Sequence, residues 1–215
     1  MKIKNIVFIV LILSIIAFGV TFYFLESLPE QIASHWNAEG TVNGYLPKIG
    51  IFLIPVLILI IGLILIYLPK LDPKKENIQE FENYYHNFII IFLLFFAGIH
   101  AFVLAWNLGT PISISLIMPI GLGVLFYYVG ILCQHSKQNW FIGIRTPWTL
   151  SNEQVWNQTH KLAGKGFKLT GLLSILSILI PIYSIWIILI SILGTALVLI
   201  IYSYLEYKKI VSKNN

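Results

Sequence analysis

Residues 49–68 read IGIFLIPVLILIIGLILIYL, a run without a charged residue and without the alternation of apolar and polar positions that marks a half-buried strand. A helix needs roughly 20 apolar residues to cross a hydrocarbon core of about 30 Å, and this run has that length. Backbone amides in lipid must be bonded within the protein, which leaves helices or closed barrels, and barrel strands alternate in a way this run does not. Three further uncharged runs have the same character, at residues 6–25, 88–107 and 112–133. The apolar stretch at 169–205 is too long for one span, and Pro181 divides it into two. The expected fold is all-α: a polytopic integral membrane protein with six transmembrane helices.

Composition agrees. The chain is 58% hydrophobic and 11% charged, where soluble domains carry roughly a quarter charged residues, and its mean hydropathy is +0.84. Lys2 and Lys4 precede the first span as they would in a signal peptide. That span is too long for a signal core, however, and bulky Tyr23, Phe24 and Leu25 stand where small residues would mark cleavage, so it reads as a retained anchor. Cys133, a single cysteine, has no internal disulfide partner and reads as a packing residue.

The formal charge of +5 is unevenly placed. In a six-span layout Lys2, Lys4, Lys70, Lys74, Lys75, Lys137, Arg145, Lys161, Lys165, Lys168, Lys208, Lys209 and Lys213 fall on one side, and Lys48 on the other. By the positive-inside rule both termini are then cytoplasmic in the cell membrane. The cations report topology and an affinity for anionic membrane lipid, so direct nucleic-acid binding is not implied.

Three segments follow: an N-terminal two-span unit at 1–68 with an extracytoplasmic loop, spans three and four with a cytoplasmic helical extension at 69–133, and a Trp/Arg-rich cytoplasmic loop with spans five and six at 134–215. Ile78, Phe81, Tyr85 and Phe88 recur at helical spacing ahead of the third span, predicting a helix that starts near Lys74. Ser151 followed by Gln154 fits a capping box, after which Trp156, His160, Ala163 and Phe167 share one face. These two extensions are expected to form a small cytoplasmic helical platform.

Two polar, aromatic-rich loops stand out. The outer one carries His35, Trp36, Asn37, Gly40, Gly44 and Tyr45, with Gly40, Gly44 and Pro47 as turn residues and Asn43-Gly44 as a tight-turn pair. Its residues read either as interfacial anchors or as a recognition surface for an external ligand. The inner loop at 139–164 reads NWFIGIRTPWTLSNEQVWNQTHKLAG. There Pro147 removes a donor and extends Thr146, making a rigid corner, and Arg145 between Trp140 and Trp148 is placed to stack on indole, fork a phosphate or pair with Glu153. This loop reads either as a headgroup-level anchor or as a partner-binding surface.

Catalysis is not expected. His160 has no carboxylate or nucleophile placed beside it by sequence, the spacing of His35 with Glu26, Glu30 and Glu39 does not suit zinc, and no phosphate-cradling motif occurs, so neither an enzyme activity nor a cofactor is predicted. Within the spans His100 reads as an interhelical hydrogen-bonder, and Gly121, Gly123 and Gly130 as sites of close helix approach. An alternative reading is a small transporter or channel lined by the fourth span, His100 and Asn107.

The outer LPEQIASHWNAEGTVNGYLPK resembles the N-terminal domain of unknown function found in the SdpI family of bacterial membrane immunity proteins. The inner stretch is similar to that family's signature through Asn139, Gly143, Arg145, Thr146, Pro147, Trp148, Thr149, Leu150, Trp156, Thr159 and His160 in order. The resemblance covers nearly the whole chain. It implies an immunity or receptor-like signalling protein that protects against a secreted toxic peptide outside and sequesters a transcriptional repressor inside. With the two polar surfaces on opposite sides of the bilayer, the outer loop around His35 to Asn37 is expected to meet the toxin or an envelope signal and the inner platform around Arg145 to His160 to dock the soluble partner, the alternative being that both serve as anchors and turns.

Overall fold

The computed structural model describes residues 3–214, so Lys2 and Asn215 lie outside the described residues, as does the side chain of Lys213. In chain order the elements are α1 (Ile3–Phe24), β1 (Gln31–Trp36), β2 (Val42–Pro47), α2 (Leu53–Tyr67), α3 (Lys75–Glu80), α4 (Glu82–Asn107), α5 (Ile114–His135), α6 (Pro147–Ser151), α7 (Glu153–Leu176) and α8 (Ser184–Asn214). Among the described residues six helices are long and apolar enough to span a bilayer, as the sequence predicts. The 22 residues of α5 extend about 33 Å at 1.5 Å per residue, enough for the hydrocarbon core. Short 3-10 turns at Lys48–Phe52 and Leu68–Leu71 lengthen α2 to a comparable span.

The outer faces of the helices are apolar. Phe8, Ile15 and Ile190 are each more than 60% exposed, a surface suited to lipid rather than to water. Inside, Ile6, Val10, Ile58, Ile89 and Leu93 bring α1, α2 and α4 together, and the cluster continues through Phe81 and Tyr85 to Ile142 of the inner loop.

Glycine sets the contact between α5 and α7. A Cβ on Gly171 would lie 2.5 Å from the Gly123 carbonyl oxygen and 2.6 Å from the Tyr127 nitrogen. One on Gly130 would lie 2.8 Å from the Gly164 carbonyl oxygen. The two backbones therefore touch directly, which is how helices gain packing where lipid removes the hydrophobic driving force. Gly121 faces the other way, against Phe95 of α4.

The structure adds or moves several local features. The loop at 26–48 contains an antiparallel hairpin, with Gln31 opposite Pro47 and His35 opposite Gly44. The tight turn lies at Asn37 to Thr41, where the Asn37 side chain accepts from the Thr41 N–H at 2.8 Å and Gly40 has φ +79°. Asn43 and Gly44 belong to β2, so the turn expected there is displaced: a Cβ on Gly44 would meet that of His35 at 2.8 Å, and the strands pass too closely for any other residue. The cap expected at Ser151 is also displaced, because Asn152 caps α7 by accepting from Val155 N–H at 3.0 Å, while a capping box joins Thr146 and Thr149 at the start of α6. The helix expected from Lys74 is broken at Phe81 into α3 and α4.

Replacing Gly171 by Ala forces Cβ into the α5 backbone and is expected to destabilise the protein by about 1–3 kcal/mol, the usual range for overpacking. Gly98→Ala, with nothing within 4 Å of the new atom, should be neutral or slightly stabilising in a helix. Thermal unfolding of both variants in detergent checks the pair, and equal melting temperatures would show that the α5–α7 contact is not under this constraint.

Candidate functional site

Irregular backbone occurs at both ends of the bundle, and each end is held by polar side chains. At the hairpin end, Asn107, the last residue of α4, acts as a substitute strand edge: its Oδ1 accepts from Ala33 N–H at 2.8 Å, and its Nδ2 donates to the Ala33 carbonyl at 3.1 Å and to the Val103 carbonyl at 2.8 Å. Leu28 and Ile32 pack with Phe102 and Val103 beneath it. Trp36 lies against Phe102 and Trp106, with ring centroids 4.8 and 5.5 Å away.

This seating brings His35, Trp36 and Asn37 over the starts of α5 and α8. Together with Ile114, Ser115, Met118, Ser184 and Ile188 they line a cavity of about 300 Å³, at the lower end of the size range of ligand pockets. The Trp36 indole N–H is buried and has no hydrogen-bond partner among the described residues. His35 Nδ1 bonds the Asn43 side chain across the hairpin. Gly40 and Gly44 shape the hairpin without lining the cavity, and Tyr45 is 61% exposed on β2.

At the other end, the loop from α5 to α7 is organised by Asn139, which is fully buried. Its Oδ1 accepts from Phe141 N–H at 2.9 Å and Ile142 N–H at 2.6 Å, and its Nδ2 donates to the carbonyls of Lys137 at 2.8 Å and Ile142 at 2.9 Å. The loop then turns at Gly143, whose φ of +111° and whose 2.4 Å separation from His160 Nε2, measured from a notional Cβ, exclude a side chain.

His160 is a structural acceptor. Ile144 N–H donates to its Nε2 at 2.9 Å, so the proton sits on Nδ1, which donates to the Trp156 carbonyl at 2.9 Å. The ring stacks on Trp156 at 3.9 Å, and the Trp156 indole donates to the Ser136 carbonyl at 3.1 Å. Both imidazole nitrogens are thus committed to holding backbone. Thr146 donates to Ser203 of α8 at 3.0 Å, and Thr149 to the Ile144 carbonyl at 2.7 Å. Thr159 is fully buried, and its hydroxyl has no partner among the described residues.

Arg145, Pro147 and Trp148 lie toward the surface. The Arg145 guanidinium donates through Nη1 to the Trp140 carbonyl at 3.0 Å. The pairing with Glu153 considered from sequence is not formed: the ion pairs of the described residues are Lys48–Glu30, Lys137–Glu80 and Lys209–Glu206. Trp148 packs on Tyr204 of α8 at 5.1 Å.

Four residues that the sequence does not assign to this site complete this end. Asp72 accepts from Trp140 N–H at 2.8 Å and from Lys74 N–H at 2.7 Å, and Lys74 Nζ donates to the side-chain oxygen of Gln138. Gln138 Nε2 donates to the carbonyls of Thr149 at 2.7 Å and Leu150 at 3.0 Å, while Asn77 donates to the Gln138 carbonyl at 2.7 Å. The segment around α3 is therefore bound to the loop by polar bonds. No periodicity signals such a junction, although an Asp followed by lysines just after an apolar span is a local hint.

The residues proposed as an alternative lining of a pore are engaged in packing. Thr21 donates to the Ala17 carbonyl at 2.7 Å, so the His100 Nε2 at 2.8 Å from its oxygen is the donor of that pair. Asn107 holds the hairpin, and Gly123 and Gly130 face α7.

Comparison with known proteins finds similarity in two separate stretches of the chain. Residues 136–204 match the SdpI/YfhL protein family, and residues 12–59 match a domain of unknown function, DUF1648. The chain is 29% identical over 208 residues to the immunity protein SdpI of Bacillus subtilis (strain 168), covering 96% of this chain and 97% of that one. No solved structure matches.

His160→Phe keeps a stacking ring and removes the acceptor for Ile144 N–H, which should cost about 1–3 kcal/mol for the orphaned group. Thermal unfolding in detergent, with limited proteolysis of the 137–146 loop, measures it. Wild-type stability and protection would refute the structural role assigned to His160.

Proposed function

We propose that this chain, a member of the SdpI/YfhL family, is a membrane immunity protein that protects against a secreted toxic peptide. The observation that carries the reading is the cavity under the hairpin turn, where His35, Trp36 and Asn37 meet the starts of α5 and α8. Its walls are mostly apolar, and it adjoins helices that face lipid. It suits a segment of an apolar, membrane-seeking peptide, with the His35 and Asn37 side chains and the Ser115 and Ser184 hydroxyls as its polar groups. Apolar walls supply affinity, and a small number of placed polar groups fix orientation.

In the proposed orientation the hairpin is extracytoplasmic and both chain ends are cytoplasmic. The basic residues support it: Lys70, Lys74, Lys75, Lys137 and Arg145 gather at the end opposite the hairpin, while Lys48 at the hairpin end is paired with Glu30 at 3.0 Å. The 136–151 loop and α3 then form a rigid cytoplasmic surface on which a soluble transcriptional repressor docks, with exposed Arg145 and Pro147 and half-buried Trp148 as its contacts. Asn139, Thr146, Trp156, Thr159 and His160 shape that surface from beneath, and Gly143 makes its turn.

Expression in cells sensitive to a secreted toxic peptide tests the immunity reading. Wild type should raise survival, and Trp36→Ala or His35→Ala should lower it at matched membrane levels, while Arg145→Ala should leave protection intact. Absence of protection by well-expressed wild type against such peptides counts against immunity; protection that survives the hairpin substitutions moves recognition away from this cavity.

A further inference from the structure

On the far side of the bundle from the hairpin, a second groove of about 450 Å³ runs between the loop from Gly143 to Trp148 and helices α7 and α8. Its floor is hydrocarbon, formed by Phe167, Ala196, Leu199 and Ile200, and Arg145 stands in its wall. We propose that this groove is a binding site for an anionic phospholipid, with the lipid phosphate held by Arg145 and an acyl chain lying on the Phe167, Leu199 and Ile200 side chains.

Three observations carry this assignment. Arg145 is an exposed cation held in place through Nη1 by the Trp140 carbonyl, and among the described residues no carboxylate pairs with it. The remaining donors of the guanidinium fork fit two oxygens of a phosphate. Arg145 is the one cation among the residues lining this groove, while Lys137 pairs with Glu80 at 3.5 Å and Lys168 with the Gln134 side chain at 2.6 Å.

The floor distinguishes a lipid from a free anion. A soluble phosphate gains nothing from Phe167 or Ile200, whereas an acyl chain covers them and leaves the headgroup at the level of Arg145. The site is also preformed: the Thr146–Ser203 bond at 3.0 Å ties the loop to α8, and Trp148 packs on Tyr204 beside it, so little ordering is needed on binding. Basic pockets between membrane helices, close to aromatic belts, are suited to acidic headgroups. The assignment does not depend on the immunity reading.

Native mass spectrometry of the purified chain in detergent, titrated with phosphatidylglycerol or phosphatidylcholine, tests it. Wild type should retain phosphatidylglycerol in preference to phosphatidylcholine. Arg145→Gln should weaken phosphatidylglycerol binding about tenfold, the loss expected for a charge-assisted hydrogen bond, and narrow its preference over phosphatidylcholine, whose choline cation already offsets the phosphate charge. Ala196→Trp, which fills the floor but keeps Arg145, should also weaken it. Size-exclusion profiles and far-UV circular dichroism confirm that the variants are folded, and the exposed Arg145 variant is decisive where Ala196→Trp is not folded. Equal retention of both lipids by wild type, or undiminished phosphatidylglycerol binding by Arg145→Gln, overturns the proposal. Displacement of the lipid by millimolar inorganic phosphate alone overturns it in favour of a free-anion site.

Discussion

Backbone that leaves helical geometry at the end of a membrane bundle still needs partners for its N–H and C=O groups, and this chain supplies them from side-chain amides and an imidazole. Asn107 does so for the hairpin, matching both polar groups of Ala33 as a neighbouring strand would. Asn139 does so for the loop between α5 and α7, using both its oxygen and its amide nitrogen twice. His160 and Gln138 hold the next turns of that loop. An orphaned buried group costs about 1–3 kcal/mol, so these few residues decide whether either loop has one conformation.

The position of the inner loop then follows from the helices it joins. α5 and α7 touch through Gly123, Gly130, Gly164 and Gly171, closer than larger residues permit. Their connection must fold back over a narrow helix pair, and Gly143 with a positive φ makes the reversal beside His160. Thr146 fastens the loop to α8, and Asp72 with Lys74 fastens it to the segment after α2. Close helix packing and loop geometry are one constraint here, since separating α5 from α7 would move His160 away from the backbone it supports.

The spans were legible because twenty uncharged apolar residues have one physical outcome in lipid, and Pro181 divides the last two as its missing donor requires. The close-approach reading of Gly123 and Gly130 was legible for a similar reason, since lipid leaves small-residue packing as the main source of helix affinity. The hairpin was not: its strands are short, the register of β1 is irregular around His35, and β2 is mostly exposed, so little period-2 signal reaches the sequence. Asn43-Gly44 carries a turn signature, yet the Asn37 side chain closes the turn earlier and leaves Gly44 to serve close strand contact. The inner loop was recognisable as polar and aromatic, but the division of labour inside it was not. His160 and Asn139 carry the same side chains that would bind a partner, and only their hydrogen bonds assign them to backbone support. Asp72 and Gln138 escaped notice because each joins its local turn to a partner more than sixty residues away.

The two ends differ in the forces they offer a visitor. At the hairpin end the local cation Lys48 is neutralised by Glu30, and the cavity beside Trp36 is lined by Ile114, Met118 and Ile188. Attraction there comes from burial of apolar surface, which salt does not screen. At the other end Arg145 faces outward without a carboxylate, beside an α7 that carries Lys161, Lys165 and Lys168. Attraction there is electrostatic, falls off over a Debye length of about 8 Å at physiological ionic strength, and is strongest for ligands already confined to the membrane surface. Apolar ligands and acidic ones would thus be favoured at opposite ends of one bundle by forces that do not compete.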